Sequence, residues 1–190
     1  MPQLPSRQQA LALMHQHVQS ESLRRHMYSV EAACRAYARS FGEDEALYGL
    51  AGLLHDFDYE EQPDQHPLPG SAILRDQGYP EEVVRAILSH YPARTGVTPE
   101  TRLERTLHAC DEITGLITAA ALVRPSRSVM DLEAKSVIKK MKDKAFAAGV
   151  DRDDVRRAAE ELGVELTEHV QFVIEAMRTV APELGLAGTS

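Results

Sequence analysis

Apolar residues recur every three to four positions along almost the whole chain, and that period commits it to helices packed on helices. Between 20 and 41, Leu23, Met27, Val30, Cys34, Tyr37 and Phe41 make one stripe, and Leu47, Leu50 and Leu54 repeat the pattern over 43–55. A short helix is predicted over 70–77, ended by Gly78. Pro80, at a favoured first helical position, opens another through Val83, Val84, Ile87 and Leu88, which Pro92 stops. A long helix is predicted from Thr98 as N-cap, with Pro99 at its first position, to about Val123, before Pro125. Further helices are expected near 6–18, 131–147, 152–162 and 167–181. Strand-like alternation is absent and aromatic residues are only 5% of the chain, so no sheet is expected. No repeat, low-complexity tract or linker divides residues 1–190, which read as one all-α domain, a helical bundle. The turn-rich stretch 59–70 is its one long irregular connection, a place where function often sits.

Charge narrows the partners. The 190 residues carry 21 Lys+Arg against 29 Asp+Glu, a net charge of -8 with histidine neutral. That balance argues against polymeric nucleic acid as a partner, which needs a broad basic surface. No apolar run approaches the roughly 18 residues of a membrane span. The first residues lack a cationic segment followed by an apolar core, so no secretory signal is expected. Cys34 and Cys110 fall within helical patterns as small hydrophobes, not as a disulfide framework. These features are those of a soluble, cytoplasmic chain. The C-terminal stripe Leu166, Val170, Val173, Ile174, Met177 and Val180 suits core packing first and a homodimer seam second.

Against this background, titratable residues stand where the dry stripes should be. His26 borders the stripe of Leu23, Met27 and Val30. His55 and Asp56 end the helix that contains Gly49 and Gly52. Asp111 follows Leu107 by four on the face of Thr114 and Thr118. An isolated buried carboxylate is very costly, so such groups are paired, protonated or bound to a cation. Imidazole nitrogen and carboxylate oxygen at a helix end suit a transition metal such as Zn, Mn or Fe. His66 in the long loop and His90 at the end of "AILSHYP" extend the series.

In order and context these residues resemble the HD-domain superfamily of metal-dependent phosphohydrolases. The resemblance rests on His26 in "LRRHMYSVEAACRAYA", His55 and Asp56 in "LAGLLHDFDYE", and Asp111 in "HACDEITG". His66, before "PGSAIL", and His90, after "VVRAIL", match the variant with a two-metal site. The likeness spans residues 20–120, the metal-binding core, and leaves 125–190 as a helical extension packed on it. The tail is similar to that of a group of small predicted HD hydrolases. The chain departs from cyclic-dinucleotide members, since its Gly-Tyr-Pro at 78–80 opens a helix far from the doublet.

The resemblance implies a divalent transition metal, one or two ions of Fe, Mn, Zn or Co. Asp56 would bridge two ions, with His26, His55 and Asp111 on one and His66 and His90 on the other. A hydroxide between the ions would then attack the phosphorus of a phosphate ester or nucleotide, the expected small-molecule partner. Asp56 and Asp58 are the catalytic candidates, Asp58 to orient the water or act as an acid. Cations for the substrate are Arg94, after His90, and Lys140 with Lys144, which share one face of a lysine-rich helix whose other face carries Lys135, Lys139 and Lys142. Two other functions fit the same ligands: an HD-fold di-iron oxygenase, and a nucleotide-binding module without turnover.

Overall fold

The chain folds in the order α1 (Arg7–His17), α2 (Glu21–Phe41), α3 (Glu45–Leu54), α4 (Leu68–Asp76), α5 (Glu81–Ser89), α6 (Pro92–Thr95), α7 (Arg102–Leu122), α8 (Ala134–Lys140), α9 (Arg152–Leu162), α10 (Leu166–Arg178) and α11 (Ala181–Leu184). The computed structural model describes residues 4–188, and among them there is no β-strand. The fold is the all-α bundle that the apolar period demands.

α2 is the axis of the bundle. Ser20 caps it by accepting the Leu23 amide, and Gly42 ends it in the left-handed conformation. Its buried face of Met27, Val30, Cys34 and Tyr37 meets α3, α7 and α10. The closest approach is at Gly52 of α3, where a Cβ would lie 2.8 Å from Glu31 Cα, so only glycine lets the two backbones pack together. This contact sets His55, three residues on, opposite His26.

α7 carries Asp111 and packs against α2, α5, α9 and α10. α10 is tied in by a buried polar bridge. The His169 Nε2–H donates to the Ala109 carbonyl at 2.8 Å, while its Nδ1 accepts from the Tyr37 hydroxyl at 2.5 Å. Burial lowers the pKa of His169, which keeps it neutral in that role.

Three boundaries differ from the sequence reading, each for a local reason. α7 begins at Arg102, because Thr101 and Glu104 form a reciprocal capping box that outcompetes Thr98 and Pro99. Pro80 is the N-cap of α5, not its first helical residue. The helix expected over 131–147 exists only as Ala134–Lys140. Beyond it the chain runs in turns, and the Arg152 guanidinium gathers them by donating to the carbonyls of Asp143, Phe146, Ala147 and Val150.

Replacing Gly52 by alanine forces α3 away from α2. We expect Gly52→Ala to lose about 1–3 kcal/mol of stability in urea unfolding, the usual cost of overpacking. An unchanged midpoint would mean the two helices are not in the contact described.

Candidate metal centre

The site is assembled from two helix ends, two helix interiors and a loop. His55 and His90 are the C-cap residues of α3 and α5. Each turns its Nδ1–H back onto a carbonyl of its own last turn, Gly52 for His55 at 2.8 Å and Ile87 for His90. Carbonyls at a helix C-terminus lack helical partners and carry partial negative charge, so the same ends that orient the imidazoles favour a cation beside them. His26 projects from the interior of α2, with Nδ1 3.5 Å from the Thr114 hydroxyl oxygen. That hydroxyl donates in turn to the Asp111 carbonyl at 2.8 Å.

His66 comes from the irregular connection, and a carboxylate holds it. Its Nδ1–H donates to Asp58 Oδ1 at 2.6 Å, and Asp58 Oδ2 accepts the Gly70 amide at 2.7 Å. Gly70 has no room for a side chain, since a Cβ there would lie 2.8 Å from Asp58 Cγ.

With all four Nδ1 atoms directed at oxygens, the four Nε2 atoms face one another. His26 and His55 bring theirs to 3.2 Å, and His66 and His90 to 3.1 Å. Asp56 stands between the pairs and divides its carboxylate. Oδ2 lies 3.5 Å from His26 and 3.2 Å from His55, while Oδ1 lies 3.2 Å from His66 and 3.4 Å from His90. Asp111 Oδ1 completes the first set at 3.0 Å from His26 and 3.3 Å from His55.

The donor set fits a metal. Neutral imidazoles with Nδ1 protonated present only lone pairs at Nε2, so neighbouring Nε2 atoms cannot hydrogen-bond and need a cation between them. Ligand bonds of about 2.1 Å place neighbouring donor atoms roughly 3.0 Å apart in an octahedron and 3.4 Å in a tetrahedron. The observed separations of 3.0 to 3.5 Å span that range. Two groups of donors meet the requirement, His26, His55, Asp56 and Asp111 in one, Asp56, His66 and His90 in the other.

Protons are the alternative occupants. Burial opposes charge on His55, but Asp56 and Asp111 outweigh it and hold its pKa well above the ordinary value. For His66 burial again works against charge, and hydrogen bonds to Asp56 and Asp58 raise the pKa to about 9. Burial disfavours ionisation of Asp56 and Asp111 too, yet the imidazoles hold both carboxyls well below their usual range.

The other residues singled out in the sequence stand elsewhere. Asp58 does not face the cluster: both its oxygens are engaged behind His66, which makes it a positioning residue and corrects the expectation that it meets the attacking water. Arg94 spends Nη1 on the carbonyls of Pro63 and His66 at 2.8 and 2.9 Å, with its guanidinium over Tyr91, and so pins the loop that carries His66. Lys140 sits over the Phe146 ring, and Lys144 is exposed in the turns after α8. Neither lysine lines the cavities at His26. The cation there is Arg25, the neighbour of His26, which the sequence reading passed over. The sequence signal for Thr114 is a threonine one turn after an aspartate, on the same helix face.

A family model of the HD domain matches residues 23–116, a span that contains both donor groups. No curated protein matches the chain.

Asp58→Asn should weaken metal at the His66 and His90 group by roughly ten- to a hundredfold, the usual effect of losing the carboxylate behind a ligating histidine. Chelator competition followed by elemental analysis reads this, and unchanged retention would contradict it. Because His55 and His66 hold protons at pH 7.5 in the metal-free protein, loading with Mn(II) should release them, and affinity should fall as pH falls. Calorimetry in two buffers of different ionisation enthalpy measures the release; identical heats would show that there is none.

Proposed function

The chain belongs to the HD-domain superfamily, and from that premise we propose that it is a metal-dependent phosphohydrolase that cleaves a phosphate ester with two divalent ions. The observation that carries the reading is the division of Asp56, one oxygen toward each imidazole pair. A carboxylate between two donor groups is what a two-ion site requires, and ions roughly 3.5–4 Å apart are a recurrent device for displacement at phosphorus.

His26, His55, Asp56 and Asp111 would hold one ion, and Asp56, His66 and His90 the other. Bound there, such ions supply a lowered water pKa and positive charge against the phosphoryl oxygens. The remaining work belongs to the chain. Gly52, Ile87, Thr114 and Asp58 fix the four imidazoles with Nε2 inward, so little reorganisation is left for the moment of reaction. The burial of His55 and His66 keeps bulk water from the back of the site. In the reaction one water is consumed. Its oxygen joins phosphorus, the ester P–O bond breaks, and the alcohol leaves with a proton of that water, giving inorganic phosphate.

The test is phosphate release from para-nitrophenyl phosphate by protein loaded with Mn(II) or Fe(II), with an oxygen electrode in the same vessel. We expect metal-dependent release that falls to background in Asp56→Asn. Oxygen consumption with iron and no phosphate release would replace this reading by the oxygenase. Tight nucleotide binding without turnover would replace it by a binding module.

A further inference from the structure

Two cavities meet at His26. One, of about 440 Å3, is open and lies beside Tyr59 and Glu60. The other is smaller and more enclosed, about 180 Å3, and lies between α2 and α7 under the C-terminal segment. One residue of its wall points to a ligand. Gly115 lies inside the 21-residue α7, one turn after Asp111, where glycine is less stable than alanine. At Gly52 the backbone of α2 demands glycine; at Gly115 a Cβ would meet no described atom within 4 Å. Packing does not require glycine there, and its effect is to leave the cavity beside His26 open.

The remaining walls give the chemistry. Leu122, Leu184 and Leu186 make one side apolar, and Ser22, Ser29 and Thr118 also line it. Arg25 is the one charged cation in the lining. Its guanidinium fits against the closing segment because Gly185, at φ 67, has no side chain: a Cβ there would lie 2.7 Å from Arg25 Nη1. Among the described residues Arg25 is paired with the exposed Glu21 alone, and an exposed pair of this kind contributes little that a ligand anion would have to replace.

The volume restricts size. It lies below the roughly 300–1,000 Å3 of sites for drug-sized ligands. We propose that this cavity receives the organic part of the substrate, and that the substrate is a short-chain phosphate ester, smaller than a nucleotide, whose carboxylate is bound by Arg25. A planar carboxylate matches the guanidinium fork and takes less room than a second phosphate. The proposal rests on the hydrolytic reading above for the phosphate end alone.

Two non-hydrolysable probes test it by binding, independently of turnover. Phosphonoacetate carries a carboxylate and ethylphosphonate lacks it. On Mn(II)-loaded protein, calorimetry should show phosphonoacetate binding roughly ten- to a hundredfold tighter, the worth of one charge-assisted contact. Arg25→Gln should abolish that difference, and Gly115→Leu should weaken both probes, with metal content and helicity unchanged in each variant. Equal binding of the two probes, or a difference that survives Arg25→Gln, overturns the proposal, as does wild-type binding by Gly115→Leu. Should Gly115→Leu not fold, the Arg25→Gln comparison decides alone. Hydrolysis of 3-phosphoglycerate, glycerol 3-phosphate and AMP then separates the two readings. The binding pattern without turnover of any ester would leave the cavity assignment standing and sink the hydrolase. Turnover of AMP as fast as that of 3-phosphoglycerate, with equal probe binding, would do the reverse.

Discussion

A carboxylate placed between two pairs of imidazole nitrogens, with all four rings turned the same way, sets the terms for the rest of this molecule. Four lone pairs and two carboxylates repel one another unless positive charge lies between them, so the arrangement is stable only with a cation or with protons. The surrounding chain is built to hold it nonetheless. Two helices end at histidines of the cluster, Gly52 draws α3 onto α2, and Asp58 is held behind His66 by the Gly70 amide. Metal would bind the native state alone and therefore stabilise it by mass action, so the strain of the bare cluster and the affinity for metal are two sides of one free energy.

The two halves of the centre differ in how they are supported. His26, Asp111 and His55 stand on α2, α7 and the end of α3, which pack directly on one another. His66 stands on the connection before α4, and its position depends on Asp58 at one side and on Arg94 pinning the loop carbonyls at the other. Sites on packed helices are held more firmly than sites on loops. The half containing His66 is therefore the adjustable one, and the two cavities open at the firm half, where both are lined by His26.

Much of this was legible in the sequence because the signal was local. The stripes of α2 and α3 are written in residues three and four apart, and the His55–Asp56 doublet ends its helix visibly. What escaped depends on contacts far apart in the chain. Arg152 binds the carbonyls of the turns that follow the lysine-rich helix, and no pattern within 131–147 announces that. Asp58 looked like a group for water because its partner amide, Gly70, lies twelve residues on. Arg25 was hidden by its neighbour: a charged residue beside a histidine on an exposed-looking turn gives no sign of the cavity between α2 and the C-terminal segment. Gly115 was readable as an oddity, a glycine inside a long helix, but its meaning needs the empty space next to it.

The central claim is that Asp56 joins two metal ions. Anomalous diffraction from crystals loaded with Mn(II), measured on both sides of the manganese edge, tests it most directly. Two peaks roughly 3.5–4 Å apart, one within bonding distance of each Asp56 oxygen, are the predicted result. A single peak among His26, His55 and Asp111, with His66 and His90 still facing each other without metal at saturating Mn(II), would contradict it.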